Sequence, residues 1–210
     1  DWIYNSNDKK TYSMILGTHN SGSSGKLVWW QRPFSFLLNL TSRCQRKSIK
    51  QQLSDEVKLF NLQVAFYNGE WHFSHGLCIY KEKLIDSLIA MKAASTIKQP
   101  IYFQLYLDKS FFCKQQKERF QQLVNNIKEY LCSEYFVMLS AGVEGSDEFH
   151  YKAEKSIDKR EHYWTLSWSK AFGKCILDFL PLPLLHAKRY NKTYKQECAS
   201  RYLMLDFYDI

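Results

Sequence analysis

The chain has 210 residues, a formal net charge of +8, 16% aromatic residues and 24% charged residues. This length supports one domain with a real core, and the composition excludes a disordered or low-complexity chain. No apolar run approaches the roughly 18 residues that a membrane-spanning helix needs. Asp1-Trp2-Ile3-Tyr4 lacks a signal-peptide pattern and an initiator methionine, so the numbering is expected to start inside a longer precursor.

Residues 11–17 read as a first strand through Tyr12-Ser13-Met14-Ile15-Leu16, with a turn punctuated by Gly17 and Gly22. His19 follows that strand, flanked by small residues. Histidine suits proton transfer near neutral pH, and strand ends are where barrel enzymes place their chemistry. The segment 26–40 comes next, with Trp29, Trp30, Phe34 and Phe36 beside Lys26 and Arg32. Aromatics next to basic residues suit a membrane interface. The same segment also suits a cap over the barrel.

Residues 45–57 predict a helix. Apolar residues at 60, 62, 64 and 66 alternate, which predicts a half-buried strand over 60–67. Asn68-Gly69 signals a hairpin. Strand 71–75 then ends in a second histidine, His75, before Gly76. Further on, the pattern predicts helix 82–97, strand 101–107 after Pro100, and helix 114–131 with Phe120, Leu123, Val124, Ile127 and Leu131 on one face. Strands follow at 135–140, 163–168, 174–179 and 202–207. Strands alternating with helices predict a parallel sheet. Eight of them predict an α/β fold, a small, irregular TIM-type β/α barrel forming a single domain over 1–210. Segments 141–162 and 181–200 are irregular and are expected to replace helices by loops.

Basic residues cluster at Arg43, Arg46, Lys47 and Lys50, expected on one helix, at 152–160, and at 188–195. Solvated faces, an anionic membrane surface and nucleic acid compete as readings; no motif supports nucleic acid. The six cysteines show no CxxC or ligand spacing, which argues against zinc. Their even number permits disulfides. The sequons Asn39-Leu40-Thr41 and Asn191-Lys192-Thr193 allow glycosylation on a secretory route, with a cytoplasmic location as the alternative. His72 and His150 read as surface groups.

The residues Gly17-Thr18-His19-Asn20-Ser21-Gly22, Ile49-x-x-Gln52-Leu53, Asn61-Leu62-Gln63 and His75-Gly76 resemble the X-domain of phosphatidylinositol-specific phospholipase C. That pattern runs Gly-Thr-His-Asp-Ser-Gly, Ile-x-x-Gln-Leu, Asp-Leu-Arg, then His-Gly about a dozen residues on. Phe172-Gly173-Lys174 and the terminal strand ending in Asp206 resemble later parts of the family. The specific likeness spans residues 11–77.

The resemblance implies general acid–base cleavage of a phospholipid phosphodiester without a cofactor. His19 would be the base, His75 the acid, and Asp206 the carboxylate that orients His19. It implies a phospholipid or inositol phosphate as ligand, an anionic membrane as docking surface, and Asn20, Asn61 and Gln63 at the substrate. It also implies an electrophile, and here the chain departs from the family. The bacterial type places arginine where this chain has Gln63, and the eukaryotic type holds calcium with carboxylates. Asn20, Asn61 and Gln63 bring no charge, so no metal is expected. Tyr106 falls at the fourth calcium-ligand position, with Asp108 two residues on, and Leu180 falls where the family has an inositol-binding arginine. Lys174 and Lys109 are the lysines considered as substitutes. Two readings follow: a phosphodiesterase of impaired or altered activity, or a pseudoenzyme that binds phospholipid, inositol phosphate or a protein partner.

Overall fold

The computed structural model describes residues 15–111, 114–143, 150–152, 162–164, 184, 187–188, 191 and 202–209. The elements among them are β1 (Ile15–Thr18), a 3₁₀ turn (Trp29–Phe34), α1 (Ser35–Ser42), α2 (Ile49–Ser54) and β2 (Leu59–Tyr67). Next come β3 (Glu70–His75), β4 (Cys78–Lys83), α3 (Leu84–Ala94), β5 (Ile101–Leu107) and α4 (Lys114–Tyr130). The last are β6 (Phe136–Val143), β7 (His150–Lys152), β8 (His162–Trp164) and β9 (Tyr202–Leu205).

One sheet runs in the order β7-β6-β5-β2-β1-β9-β8 and curls into a half-barrel. Every pairing from β6 through to β8 along that path is parallel, and β7 is an antiparallel edge. The expected strand 174–179 lies outside the described residues. The 3₁₀ turn and α1 occupy a stretch where the sequence pattern predicts no helix, and two further elements went unforeseen within the described part. One is β4, where the sequence pattern suggests the start of a helix; its Lys81-Glu82-Lys83 end is where α3 begins. The other is β7. Strand 71–75 is also not a barrel strand. It is β3, the middle of an antiparallel β2-β3-β4 hairpin stack. Asn68 and Gly69 both take positive φ (50° and 85°), as a type I′ turn requires.

Strand alternation sorts β2 into two files. Phe60, Leu62 and Val64 pack outward with Phe103, Leu105 and Phe136, beneath α3 and α4. Leu59, Asn61 and Gln63 point the other way. Leu59 forms a small apolar layer with Met204 and Leu139, bordered by Ile15, Tyr102 and Val137. Above that floor the interior turns polar: Asn61 pairs with Gln104 and Gln63 with Tyr106 in register. Alternation makes the outward file legible as core, whereas the buried inward amides mark the mouth.

The decisive detail is a fork in one edge of β2. The lower part of that edge, at Leu59 and Phe60, bonds to β1. The upper part, from Val64 to Tyr67, bonds to β3 running the opposite way. Between them the 19–23 turn enters, and Ser21 N donates to Asn61 O at 2.8 Å. His19 leaves β1 just below the gap and His75 ends β3 as it comes back down to it. The two histidines converge because β2 changes neighbour there.

Candidate active site

The turn after β1 is held from three sides. Thr18 Oγ1 donates to Gln52 Oε1, and Gln52 Nε2 donates to the carbonyls of Ser21 and Lys47, at 2.8, 2.8 and 2.7 Å. This explains the glutamine of the Ile49-x-x-Gln52-Leu53 motif. Its helix is short, beginning after Ser48, whose side chain and that of Gln51 form a reciprocal capping box. Arg43 therefore does not lie on a helix with Lys50, as the charge pattern predicted. Its guanidinium binds the carbonyls of Ser24 and Gln45, while Lys47 pairs with Asp55 at 2.7 Å. Asn20 takes a left-handed conformation, φ 44°, which asparagine tolerates.

Within this frame His19 Nδ1 lies 2.8 Å from Asp206 Oδ1, and the carboxylate is 1% exposed. The His19 and His75 rings sit edge to face with centroids 5.9 Å apart. His75 Nδ1 donates to Ser42 O at 2.7 Å. Each ring thus has an acceptor at Nδ1, a carboxylate for one and a neutral carbonyl for the other. Such a bond fixes the tautomer.

Asn20 Nδ2 lies 3.3 Å from His19 Nε2, and Asn20 N donates to Asn61 Oδ1 at 3.3 Å. Asn61 Nδ2 reaches Gln104 Oε1 at 3.4 Å. Gln63 is buried with its Oε1 unpartnered among the described residues. The structure thus brings His19, His75, Asp206, Asn20 and Asn61 together, with Gln63 one step higher on the same face of β2. Tyr106 shares a hydrogen bond with Ser140 at 2.9 Å. Asp108 is fully buried and accepts from Ser110 N. Lys174 and Leu180 lie outside the described residues, as does the side chain of Lys109. Calcium needs carboxylate oxygens, and Asn20, Asn61 and Gln63 supply only amides, one of them already engaged. These residues do not fit that ion.

The sequence alone missed four residues that build the site. Gln45, fully buried, donates through Nε2 to both His19 O and Leu205 O at 2.8 Å, clamping the ends of β1 and β9. Asn191 donates to the carbonyls of Asp206 and Phe207 at 2.8 and 3.0 Å. Its amide nitrogen, where a sequon would carry a glycan, is buried and committed to the site. Cys44 lies beside His75, its Sγ 3.6 Å from Nδ1. Ser42, at the end of α1, receives the His75 bond. No spacing rule could have found them, because each contact joins distant segments. His72 also departs from expectation: it is buried, with Nδ1 3.0 Å from Tyr80 O. The side chain of His150 is outside the described set.

The candidate membrane residues sit on the 3₁₀ turn and α1. Trp29 is 74% exposed and Phe36 75%; Trp30 and Phe34 are exposed too. Leu37, Leu40 and Leu77 extend the patch. Gln31 ties it together, donating to Leu77 O and accepting from Ile79 N. The helix is amphipathic with its apolar side outward, the reverse of a core helix.

Searches against family models and against curated proteins found no match for this sequence. Solved structures do match. A variant of the phosphatidylinositol-specific phospholipase C of Staphylococcus aureus superposes with a TM-score of 0.56 at 14% identity, covering 92% of this chain and 84% of that one. The fold is that of phosphatidylinositol-specific phospholipase C. The Listeria monocytogenes enzyme gives 0.54 at 14% identity, over 93% of this chain and 88% of its own. A further form of the S. aureus enzyme, from work on its membrane binding, gives 0.54 at 15% identity, over 95% and 89%. At these identities the shared property is the phospholipase C fold.

Proposed function

We propose that this chain is a metal-independent, slow phosphodiesterase for inositol phospholipids, working at an anionic membrane surface. The observation that carries this reading is the triad-like line of Asp206, His19 and His75 at the mouth of a phospholipase C fold. With Nδ1 of His19 held by a carboxylate, Nε2 is the nitrogen that takes the proton from the inositol 2-hydroxyl. The freed oxygen attacks phosphorus. Asp206 stabilises the imidazolium that forms. His75, protonated, gives its Nε2 proton to the departing diacylglycerol oxygen. A cyclic inositol phosphate and diacylglycerol result. Water then opens the ring with the two histidines exchanging roles, as microscopic reversibility demands.

The reaction is slow because developing charge on phosphate meets amides. Losing one preorganised electrophile costs about two to three decades of rate. The same amides favour the second reading, a non-catalytic domain that binds the head group. Release of water-soluble inositol phosphate from phosphatidylinositol vesicles separates the two. The expected result is turnover below ~1 per second, falling to the buffer rate in His19→Ala. Wild-type turnover equal to the buffer rate, with head-group binding retained, would select the second reading.

Membrane docking is assigned to the patch of Trp29, Phe34, Phe36, Leu37, Leu40 and Leu77. The S. aureus enzyme of this fold binds membranes, and none of the described helices here is long and apolar enough to cross one. The exposed cations nearest in sequence are Arg32 and Lys26, with Arg46 and Lys50 further along, each adding about 1 kcal/mol near an anionic surface. Trp29→Ala with Phe36→Ala is expected to weaken vesicle binding at least tenfold, since each ring buries apolar surface worth on the order of 1–2 kcal/mol at the interface. The melting temperature should not move, because both side chains face solvent. A variant that binds vesicles as tightly as the wild type would remove the patch from this role.

A further inference from the structure

We propose that His19, Cys44 and Asp206 form a binding site for a thiophilic divalent cation of the zinc type. A ligand atom from each lies within 4.8 Å of the other two. Cys44 is fully buried and Asp206 nearly so, while His19 is reached from the mouth. Two further observations point to a ligand there. Asp206 Oδ2 and Asn20 Oδ1 are buried oxygens without a hydrogen-bond partner among the described residues. Asn20 is aimed into the cluster, since its Nδ2 lies 3.3 Å from His19 Nε2 and 3.8 Å from Cys44 Sγ. The fourth position is open to water from the mouth.

The donor set selects the ion. Thiolate and imidazole favour zinc, cobalt or cadmium over calcium and magnesium. Charge balance favours it as well. One thiolate, one carboxylate and a doubly charged cation sum to zero, which suits a buried site. Binding exchanges an S–H bond for an S–metal bond and releases that proton to solvent. The proton on His19 Nδ1 moves to Nε2 as Nδ1 takes the metal. Tetrahedral zinc ligands lie about 3.3–3.8 Å apart, given bonds of about 2.0–2.3 Å. The cluster, whose ligand atoms lie within 4.8 Å of one another, closes by about an ångström on binding. If the proposed phosphodiesterase reading holds, occupancy removes the base and inhibits.

The test is a titration of the chelator-treated protein with cobalt(II). A sulfur-to-cobalt charge-transfer band is expected to saturate at one equivalent, to disappear on adding zinc and to persist in calcium. Cys44→Ser abolishes it, whereas Cys78→Ser and Cys132→Ser leave it. His19→Gln keeps a buried core intact even if Cys44→Ser does not fold, and it weakens cobalt affinity about 100-fold or more. No band, or a band that survives both Cys44→Ser and His19→Gln, overturns the proposal. The readout is independent of turnover. Cleavage by metal-free protein without a band would sink the site and spare the enzyme reading; a band without cleavage would do the reverse.

Discussion

The triple variant Gln63→Arg, Asn20→Asp, Asn61→Asp is expected to cleave phosphatidylinositol about 100–1000-fold faster than the wild type. Gln63 projects from the inward face of β2, one pleat above Asn61. An arginine there can hold a non-bridging phosphate oxygen with a charge-assisted bond that glutamine lacks. The single variant is expected to fail for a physical reason. It puts a guanidinium into a buried layer of amides, and an unpaired buried charge costs roughly 3–5 kcal/mol. For a domain of this size that lowers the melting temperature by roughly 6–20 °C. The two aspartates return the missing countercharge. The Asn61→Asp change keeps the acceptor used by the backbone amide at position 20, and Gln104 can turn its amide to donate to the new carboxylate. Thermal unfolding and inositol phosphate release, measured on the single and triple variants, check both halves. A triple variant as stable as the wild type but no faster would mean that phosphate charge is met elsewhere.

Gly22→Ala is expected to destabilise the fold by about 3 kcal/mol, near the upper end for overpacking a core. A Cβ at this position would lie 2.1 Å from Cγ of Phe73, a residue 1% exposed. Neither partner has room to retreat. Phe73 is in β3 and Gly22 is in the turn pinned by Gln52 and Asn61. The melting temperature should fall by roughly 6–12 °C. Because the turn carries His19, any residual fold should also lose activity. Phe73→Leu alone leaves a cavity, but in the double variant the alanine methyl fills part of it. The double variant should therefore be more stable than the sum of the two single effects. Strict additivity would show that the clash is relieved by backbone movement.

The sequence made the fold legible where one physical rule acts alone. The alternation at 60, 62, 64 and 66 marks the outward file of β2. The 3.6-residue period of Phe120, Val124 and Ile127 marks α4. Asn68-Gly69 marks the hairpin. It was not legible where rules conflict. In β4, charged Lys81, Glu82 and Lys83 belong to a strand end, with Lys83 paired to Glu70 across the hairpin at 2.7 Å. In α1 the apolar face looks outward, so a periodicity argument has no core to point to. For the site, the motif residues His19, His75 and Asp206 could be singled out, because strand ends and turns advertise them. Gln45, Asn191 and Cys44 could not. Their roles come from reaching across the sheet to backbone or side chains far along the chain, and nothing local to them differs from an ordinary loop residue.

The pairing of β1 with β9 has a consequence for how the protein is made. β1 ends at Thr18, and the strand that covers its second edge ends at Leu205. At about 5–20 residues per second, synthesis of the intervening chain takes roughly 10–40 s. Over that interval a nascent β1 has one open ladder edge, the kind of edge that invites wrong partners. His19 likewise waits for Asp206. The acid–base centre is therefore the last part of the described protein to assemble, and a ribosome-bound chain stopped short of β9 carries both histidines without an oriented base.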